Sequence, residues 1–169
     1  MNTRNKTRKL AFLGLCTAVA MVLAWIECQL PPLVVAVPGI KMGLPNIAIV
    51  FILYRFGWKE AAAVSFVRIV AVSLLFGNPM TLAYSLAGGL LSLLGMSLLR
   101  TGNFLSPVGV SVAGGVLHNV GQILMAMLLL STTELGYYLI VLAITGTLSG
   151  IFVGFCGSFA VKRIPVKKV

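Results

Sequence analysis

The chain has 169 residues, of which 59% are hydrophobic and 9% charged, and its mean hydropathy is +1.06. Soluble domains are about half apolar and about a quarter charged, so this composition cannot cover a water-exposed surface. The formal net charge is +10, but basic residues cluster at the two ends of the chain, which is typical of orientation signals and anionic-lipid anchors. We therefore expect an all-α integral membrane protein in a lipid bilayer, with no nucleic-acid partner.

Apolar runs predict about six transmembrane helices, at about 20 residues per span. The first, residues 10–30, is interpreted as an uncleaved span because no small-residue cleavage site follows it. Prolines and glycines disfavour a regular helix over residues 34–44, so we predict an outer loop there that dips into the protein. The other spans are predicted at 45–56, 58–76, 80–99, 107–130 and 135–161. Residues 1–169 are expected to form one six-helix domain, with basic cytoplasmic tails at 1–9 and 162–169.

The distribution of basic residues predicts the orientation of this bundle. With the N-terminus inside, eleven of the thirteen lysines and arginines fall in cytoplasmic segments. Only Lys41 falls in an outer loop, and Arg68 lies within the third span. Because basic residues concentrate on the cytoplasmic side of membrane proteins, we predict a multi-pass protein of the cell (inner or plasma) membrane with both termini in the cytoplasm.

Arg68 is the first candidate for a functional residue. It lies ten residues into the third span, near the bilayer centre, where a charge costs about 2.5–3.5 kcal/mol on insertion scales. The two ends of the span are about 15 and 12 Å away at 1.5 Å per residue, which is far for snorkelling. A structural ion pair would satisfy the guanidinium, but we favour a functional polar cavity.

The segment V-L-H-N-V-G-Q in the fifth span contributes His118, Asn119 and Gln122. His118 and Gln122 are four residues apart, and Asn119 and Gln122 are three apart, so both pairs occupy neighbouring positions on a helix. Nearby glycines allow a second backbone or a ligand to approach closely. Hydrogen bonding between helices is the alternative explanation, but three polar residues together favour a binding site.

Further polar candidates flank the outer loops. Lys41 and Asn46 belong to the broken segment P-G-I-K-M-G-L-P-N, and Asn78 lies in the turn after the third span. Lys41 together with Arg68 could neutralise a phosphate or a carboxylate. Two glutamates at the outer ends of spans are interpreted as solvated helix ends: Glu27 and Glu134.

Small residues recur at a spacing of four in two spans. Ala20 and Ala24 have this spacing in the first span, and Gly146, Gly150 and Gly154 continue it in the sixth. Such surfaces let helices approach closely. Packing within the bundle and docking of a partner membrane subunit both explain the pattern, and the two alanines are the candidates for docking.

The chain lacks the residues that several kinds of catalytic and cofactor site require. The chain contains no aspartate and only three glutamates, and it has no G-x-x-x-x-G-K-[ST] motif, so we do not expect it to hydrolyse nucleotides. One histidine and three dispersed cysteines provide neither a haem or iron–sulfur site nor a disulfide framework. We expect a non-enzymatic protein with no catalytic residue, no metal and no cofactor.

Three segments resemble one bacterial family: residues 38–46, Asn78-Pro79, and G-V-S-V-A-G-G-V-L-H-N-V-G-Q at 109–122. The family is labelled Gx transporter or heptaprenyl diphosphate synthase component I, and the resemblance covers nearly the whole chain. That family resembles the substrate-binding S components of energy-coupling factor (ECF) transporters, six-helix proteins whose A-x-x-x-A motif Ala20 and Ala24 match. The resemblance implies a pocket that opens outward and a separate module of one membrane subunit and two ATPases.

These observations predict a membrane subunit that binds a small anionic or aromatic metabolite for uptake, such as an isoprenoid- or quinone-related precursor or a vitamin. Separate ATPase subunits would supply the energy. Among transport functions, the alternative is a solitary carrier that works without ATPase subunits. The alternative outside transport is a non-catalytic subunit or scaffold of a quinone-linked electron-transfer or prenyl-lipid synthesis system. Substrate recognition is assigned to seven residues: Lys41, Asn46, Arg68, Asn78, His118, Asn119 and Gln122.

Overall fold

The computed structural model describes residues 3–29, 43–103 and 105–165. These residues form six α-helices and one short 3₁₀ helix, Glu134–Tyr138, and contain no β-strand. The prediction of an all-α membrane bundle is confirmed. The α-helices are α1 (Thr3–Gln29), α2 (Asn46–Arg55), α3 (Trp58–Phe76), α4 (Pro79–Gly102), α5 (Pro107–Leu130) and α6 (Leu139–Arg163).

Among the described residues, four helical segments are long and apolar enough to cross a membrane: α1, α4, α5 and the stretch Glu134–Arg163. Helix α3 has 19 residues but carries Lys59, Glu60 and Arg68. Helix α2 has only 10 residues, about 15 Å at 1.5 Å per residue, which is half of the ~30 Å hydrocarbon core. The described part of the chain therefore combines full-length spans with one half-length helix.

The predicted spans agree with the helices in most places. The bounds predicted for the third and fifth spans are those of α3 and α5. Helix α1 begins at Thr3 rather than at residue 10, so the basic segment predicted as a tail continues the first helix. Most of the predicted dipping loop, residues 34–42 with Lys41, lies outside the described residues, as do residues 166–169.

Polar contacts tie the helices together at one end of the bundle, which we call the basic end. Lys9 of α1 forms an ion pair with Glu60 of α3 (Nζ–Oε1, 2.5 Å). Arg55 donates to the Ile164 carbonyl at the end of α6 (2.8 Å), and Arg100 donates to a carbonyl near the end of α2. A cation at a helix C-terminus complements the negative end of the helix dipole, so these contacts stabilise the helix ends.

Helix α5 lies between α4 and α6 and contacts both through its backbone. A Cβ added at Gly150 of α6 would lie 2.6 Å from the Cα of Val112, and one at Gly121 of α5 would lie 2.7 Å from the carbonyl oxygen of Ala87. Real Cβ atoms do not come this close to backbone atoms. Packing within the bundle therefore explains the small residues of the sixth span.

Helix α1 packs mainly against α3. Its buried face repeats at helical spacing and includes Ala20 and Ala24, which are 0% and 2% exposed. Packing within the chain therefore accounts for both alanines in this conformation. The opposite face of α1, with Gly14 and Leu15, is exposed. Docking of a partner subunit at Ala20 and Ala24 stays a prediction.

Candidate functional site

Arg68 lies near the middle of α3. Its side chain is only 7% exposed, and its Nη2 donates to Oδ1 of Asn46 at 3.0 Å. Asn46 is the first residue of α2, so this hydrogen bond places the start of the half-length helix beside the middle of α3. The Arg68 Nε has no hydrogen-bond partner among the residues that the structure describes. Arg68 therefore keeps donor capacity inside the bundle.

Glu27 lies close to Arg68, although it was predicted to be a solvated helix end. That prediction is wrong, because the side chain is 6% exposed and continues the buried face of α1. Its Oε1 accepts a hydrogen bond from the backbone N–H of Gly43, and the carboxylate interacts electrostatically with Arg68. The start of α2 is therefore held by contacts to both charged residues.

Glu27 and Arg68 line one cavity, which we call the Arg68–Glu27 cavity. It has a volume of ≈ 20 Å³, enough for about one water molecule. Hydroxyl groups of α3 and α4 face the same space, so its wall is largely polar. The lining residues that carry polar side chains are Glu27, Arg68, Ser73, Thr81 and Ser85.

The three polar residues of α5 divide between two neighbouring helices. Asn119 donates through Nδ2 to the carbonyl oxygen of Leu142 on α6 (2.8 Å), which is the interhelical hydrogen bonding considered as an alternative. Gln122 and His118 face α4, since a Cβ at Gly88 would lie 2.8 Å from the Gln122 Cγ and 3.1 Å from the His118 Cε1. Asn119 therefore joins helices, whereas the other two approach α4.

Gln122 and His118 keep unused hydrogen-bonding atoms. Gln122 is 1% exposed, and neither its Nε2 nor its Oε1 has a partner; the same holds for the Nδ1 of His118, within the described part of the chain. His118 also lies near enough to Arg68 to interact with it electrostatically. An unsatisfied buried polar group costs about 1–3 kcal/mol, so these atoms indicate a site for water or a ligand.

A second small cavity lies between α2, α4, α5 and α6. Asn46, Ser92, Ser111 and Ser149 line it, and its volume is ≈ 10 Å³, about that of one water site. The hydroxyls of Ser92 and Ser111 are buried and lack partners within the described ranges. Sequence reasoning missed these serines and Glu27. The serines gave no signal, because buried and lipid-facing serines look alike in sequence.

Asn78 is not among the residues that line the Arg68–Glu27 cavity. The Asn78 side chain is exposed, and its Oδ1 accepts from the backbone N–H of Thr81 (2.8 Å), which caps the start of α4. Lys41 lies outside the described residues. Within the described ranges, no three His, Cys, Asp or Glu side chains converge as metal ligands.

Asn119 and Gln122 should respond oppositely to the same substitution. Asn119→Leu removes a hydrogen bond between α5 and α6 and should lower the free energy of unfolding by about 0.6–2 kcal/mol. Gln122→Leu removes an amide that has no partner among the described residues and should leave the stability unchanged or raise it. Thermal unfolding of the ligand-free protein in detergent measures both. A larger destabilisation by Gln122→Leu would assign that amide a structural role.

A helical bundle with long apolar spans and a buried cluster of charged and amide side chains defines a multi-pass membrane protein with an internal polar site. A family model described as heptaprenyl diphosphate synthase component I matches residues 16–160, so the chain belongs to this family. No curated protein and no solved structure gives a significant match.

Proposed function

We propose that the chain is the membrane-embedded, substrate-binding subunit of an uptake system for a small charged metabolite, as in the S components of ECF transporters. In this proposal it is not an enzyme, and a separate membrane subunit and ATPases supply the energy. The observation that carries the proposal is the burial of Arg68 near the middle of α3, beside a carboxylate and a polar cavity, with an Nε that has no partner among the described residues.

A purely structural cluster is the weaker explanation of these residues. A buried charge that only joins helices is expected to have its donors satisfied, because each unsatisfied group lowers stability. Arg68, His118 and Gln122 all keep unpaired atoms among the described residues. Intramembrane ionisable residues that face the bundle interior also commonly mark substrate pathways.

The proposal requires the site to open. The two cavities, ≈ 10 and ≈ 20 Å³, each hold about one water molecule. Within the described ranges neither cavity is large enough for a metabolite, so in this proposal the described elements around Arg68 move apart when one binds. The conformation described here corresponds, in this proposal, to the unliganded, closed form.

The proposed orientation places both termini in the cytoplasm. Its support is the concentration of lysine and arginine at the basic end, where Lys9, Arg55 and Arg100 lie. The Arg68–Glu27 cavity, which Gly77 and Thr81 also line, then lies in the outer half of the bundle. A ligand would reach it from outside the cell.

The test of this function is a search for the bound molecule. The protein purified in lipid nanodiscs should carry a small metabolite, or take one up from a bacterial polar-metabolite extract, with a rise in its unfolding temperature. Native mass spectrometry and thermal unfolding measure the two effects. A protein that stays free of any metabolite and is not stabilised by the extract would contradict the proposal.

The family description favours a second candidate, a non-catalytic membrane subunit of a prenyl diphosphate synthase. Prenyl diphosphate synthases hold Mg²⁺ with aspartate-rich motifs, and carboxylate oxygens suit that cation, but this chain has no aspartate. Any synthase activity would therefore belong to a partner subunit. Crosslinking in native membranes separates the candidates: ATPase partners support uptake, whereas a soluble synthase partner without ATPases supports the scaffold.

A further inference from the structure

We propose that the basic end carries a binding surface for an anionic phospholipid, whose phosphate is held by Arg163 while an acyl chain lies along α6. The surface is the side of α6 that ends at Arg163, which we call the Arg163 face. Two features support the proposal: a line of exposed apolar side chains leads to the cation, and positive charge is in excess around it. The proposal is independent of the uptake function, because no residue of this face lines the two small cavities.

The Arg163 face runs along one side of α6. Its apolar side chains are each more than half exposed: Leu148, Phe152, Phe155 and Phe159. Successive members are three or four residues apart, and Arg163 follows four residues after the last phenylalanine, so all five project from the same side of the helix. On a helix that spans a membrane, exposed apolar side chains of this kind contact acyl chains rather than water.

Arg163 lies over the last ring of this face. Its Cζ is 5.5 Å from the centroid of the Phe159 ring, within the distance at which a guanidinium is attracted to an aromatic face. Eleven residues separate Phe152 from Arg163, or about 16 Å at 1.5 Å per residue, and one half of the hydrocarbon core is about 15 Å thick. An acyl chain that covers the rings therefore brings its headgroup to the guanidinium.

No acidic side chain neutralises Arg163. The whole chain has only three acidic residues. Glu27 lies near the end of α1 that is away from the basic end, and Glu134 follows the far end of α5. Glu60 is at the basic end, but it forms its ion pair with Lys9. An anion for Arg163 must therefore come from outside the chain's own acidic side chains.

Other basic residues surround Arg163. Lys162 precedes it and is exposed, and Arg55 donates to the carbonyl oxygen of Ile164 at 2.8 Å. The sequence of residues 166–169 adds two lysines and no acidic side chain. Basic clusters beside a membrane attract anionic lipids, and a guanidinium can bind a phosphate through two parallel hydrogen bonds. The chemistry of this surface therefore matches a negatively charged phosphate group.

A lipid fits this face better than an acidic protein does. A phospholipid supplies the two complementary parts in one molecule, since its acyl chain covers the phenylalanines and its phosphate meets Arg163. An acidic soluble protein would neutralise the cation but would leave the rings of Phe155 and Phe159 to be covered by something else. The combination of an apolar face and a cation at its end thus indicates a phospholipid.

The first test compares two lipids that differ only in headgroup charge. The protein in detergent is titrated with phosphatidylglycerol or with phosphatidylcholine that has the same acyl chains, and native mass spectrometry measures the dissociation constant of the first bound lipid. The wild-type protein should bind phosphatidylglycerol at least about tenfold more tightly. This preference should decrease as the salt concentration rises.

Two double variants with the same loss of charge locate the site. Lys162→Gln/Arg163→Gln should weaken phosphatidylglycerol binding about tenfold or more and leave phosphatidylcholine binding unchanged. The matched control is Arg4→Gln/Lys6→Gln, which removes two exposed charges from α1, a helix that packs mainly against α3. Because salt screens charges beyond about 8 Å, the control should bind phosphatidylglycerol as the wild-type protein does.

Three results would contradict the proposal. Equal affinity of the wild-type protein for the two lipids would overturn it. An equal loss of affinity in both double variants would indicate attraction by the total charge and would overturn a site at Arg163. Equal lipid affinities together with a crosslink from position 163 to another protein in native membranes would assign the face to a protein partner. The wild-type comparison decides the headgroup charge even if a variant fails to fold, and none of these results tests the uptake function.

Discussion

Arg68→Met should abolish ligand binding, lowering the affinity by at least about 100-fold, since hydrogen bonds to a charged group contribute about 1.5–3 kcal/mol each and Arg68 can make more than one. Methionine has a similar length but no charge and no donor. The protein should still insert into the membrane and purify as a folded monomer. Binding of the co-purified metabolite in nanodiscs is the measurement.

Arg68→Met also removes a buried cation that interacts electrostatically with the Glu27 carboxylate, and the loss of this interaction should lower stability. The double variant Arg68→Met/Glu27→Gln removes both charges and should restore stability without restoring binding. Arg100→Met is the matched control, because Arg100 lies at the basic end and contacts Tyr54. Retention of normal affinity in Arg68→Met would refute the site described here.

Gly150→Ala should destabilise the bundle. The added Cβ would lie 2.6 Å from the Cα of Val112 and 2.9 Å from the carbonyl oxygen of Ser111, so α5 and α6 must separate. Overpacking of this kind costs typically about 1–3 kcal/mol. The unfolding temperature in detergent should fall accordingly.

Gly14→Ala is the control for that substitution. Nothing lies within 4 Å of a Cβ added at Gly14, and alanine is about 1 kcal/mol better than glycine inside a helix. This variant should therefore be as stable as the wild-type protein or more stable. If both variants behave alike, the close contact between α5 and α6 is not a feature of the folded protein.

Much of the fold could be predicted because glycine and proline mark the helix ends. Gly57 precedes α3, Gly77 follows it, and Pro107 begins α5, which is why those bounds were correct. Glu27 was misjudged because the apolar run ends near it. Its spacing from Ala20 and Ala24 places it on the buried face of α1, and this spacing is visible in the sequence.

The direction of each polar side chain could not be predicted from α5 alone. Asn119 and Gln122 are three residues apart and so differ by about 60° around the helix at 3.6 residues per turn. That difference is enough to place one against α6 and the other against α4. Tertiary packing decides which neighbouring helix lies on which side of α5. The sequence of α5 alone does not contain that information.

The backbone contacts of α5 divide the molecule into two mechanical parts. Helices α4, α5 and α6 touch through backbone atoms and form a stiff slab, whereas α1 and α3 have fewer contacts with the rest of the bundle. The charged pair belongs to α1 and α3, and the neutral groups His118, Gln122 and Ser92 belong to the slab. In the proposed function, substitutions in the slab therefore alter which molecule fits, while the charged residues on α1 and α3 are left unchanged.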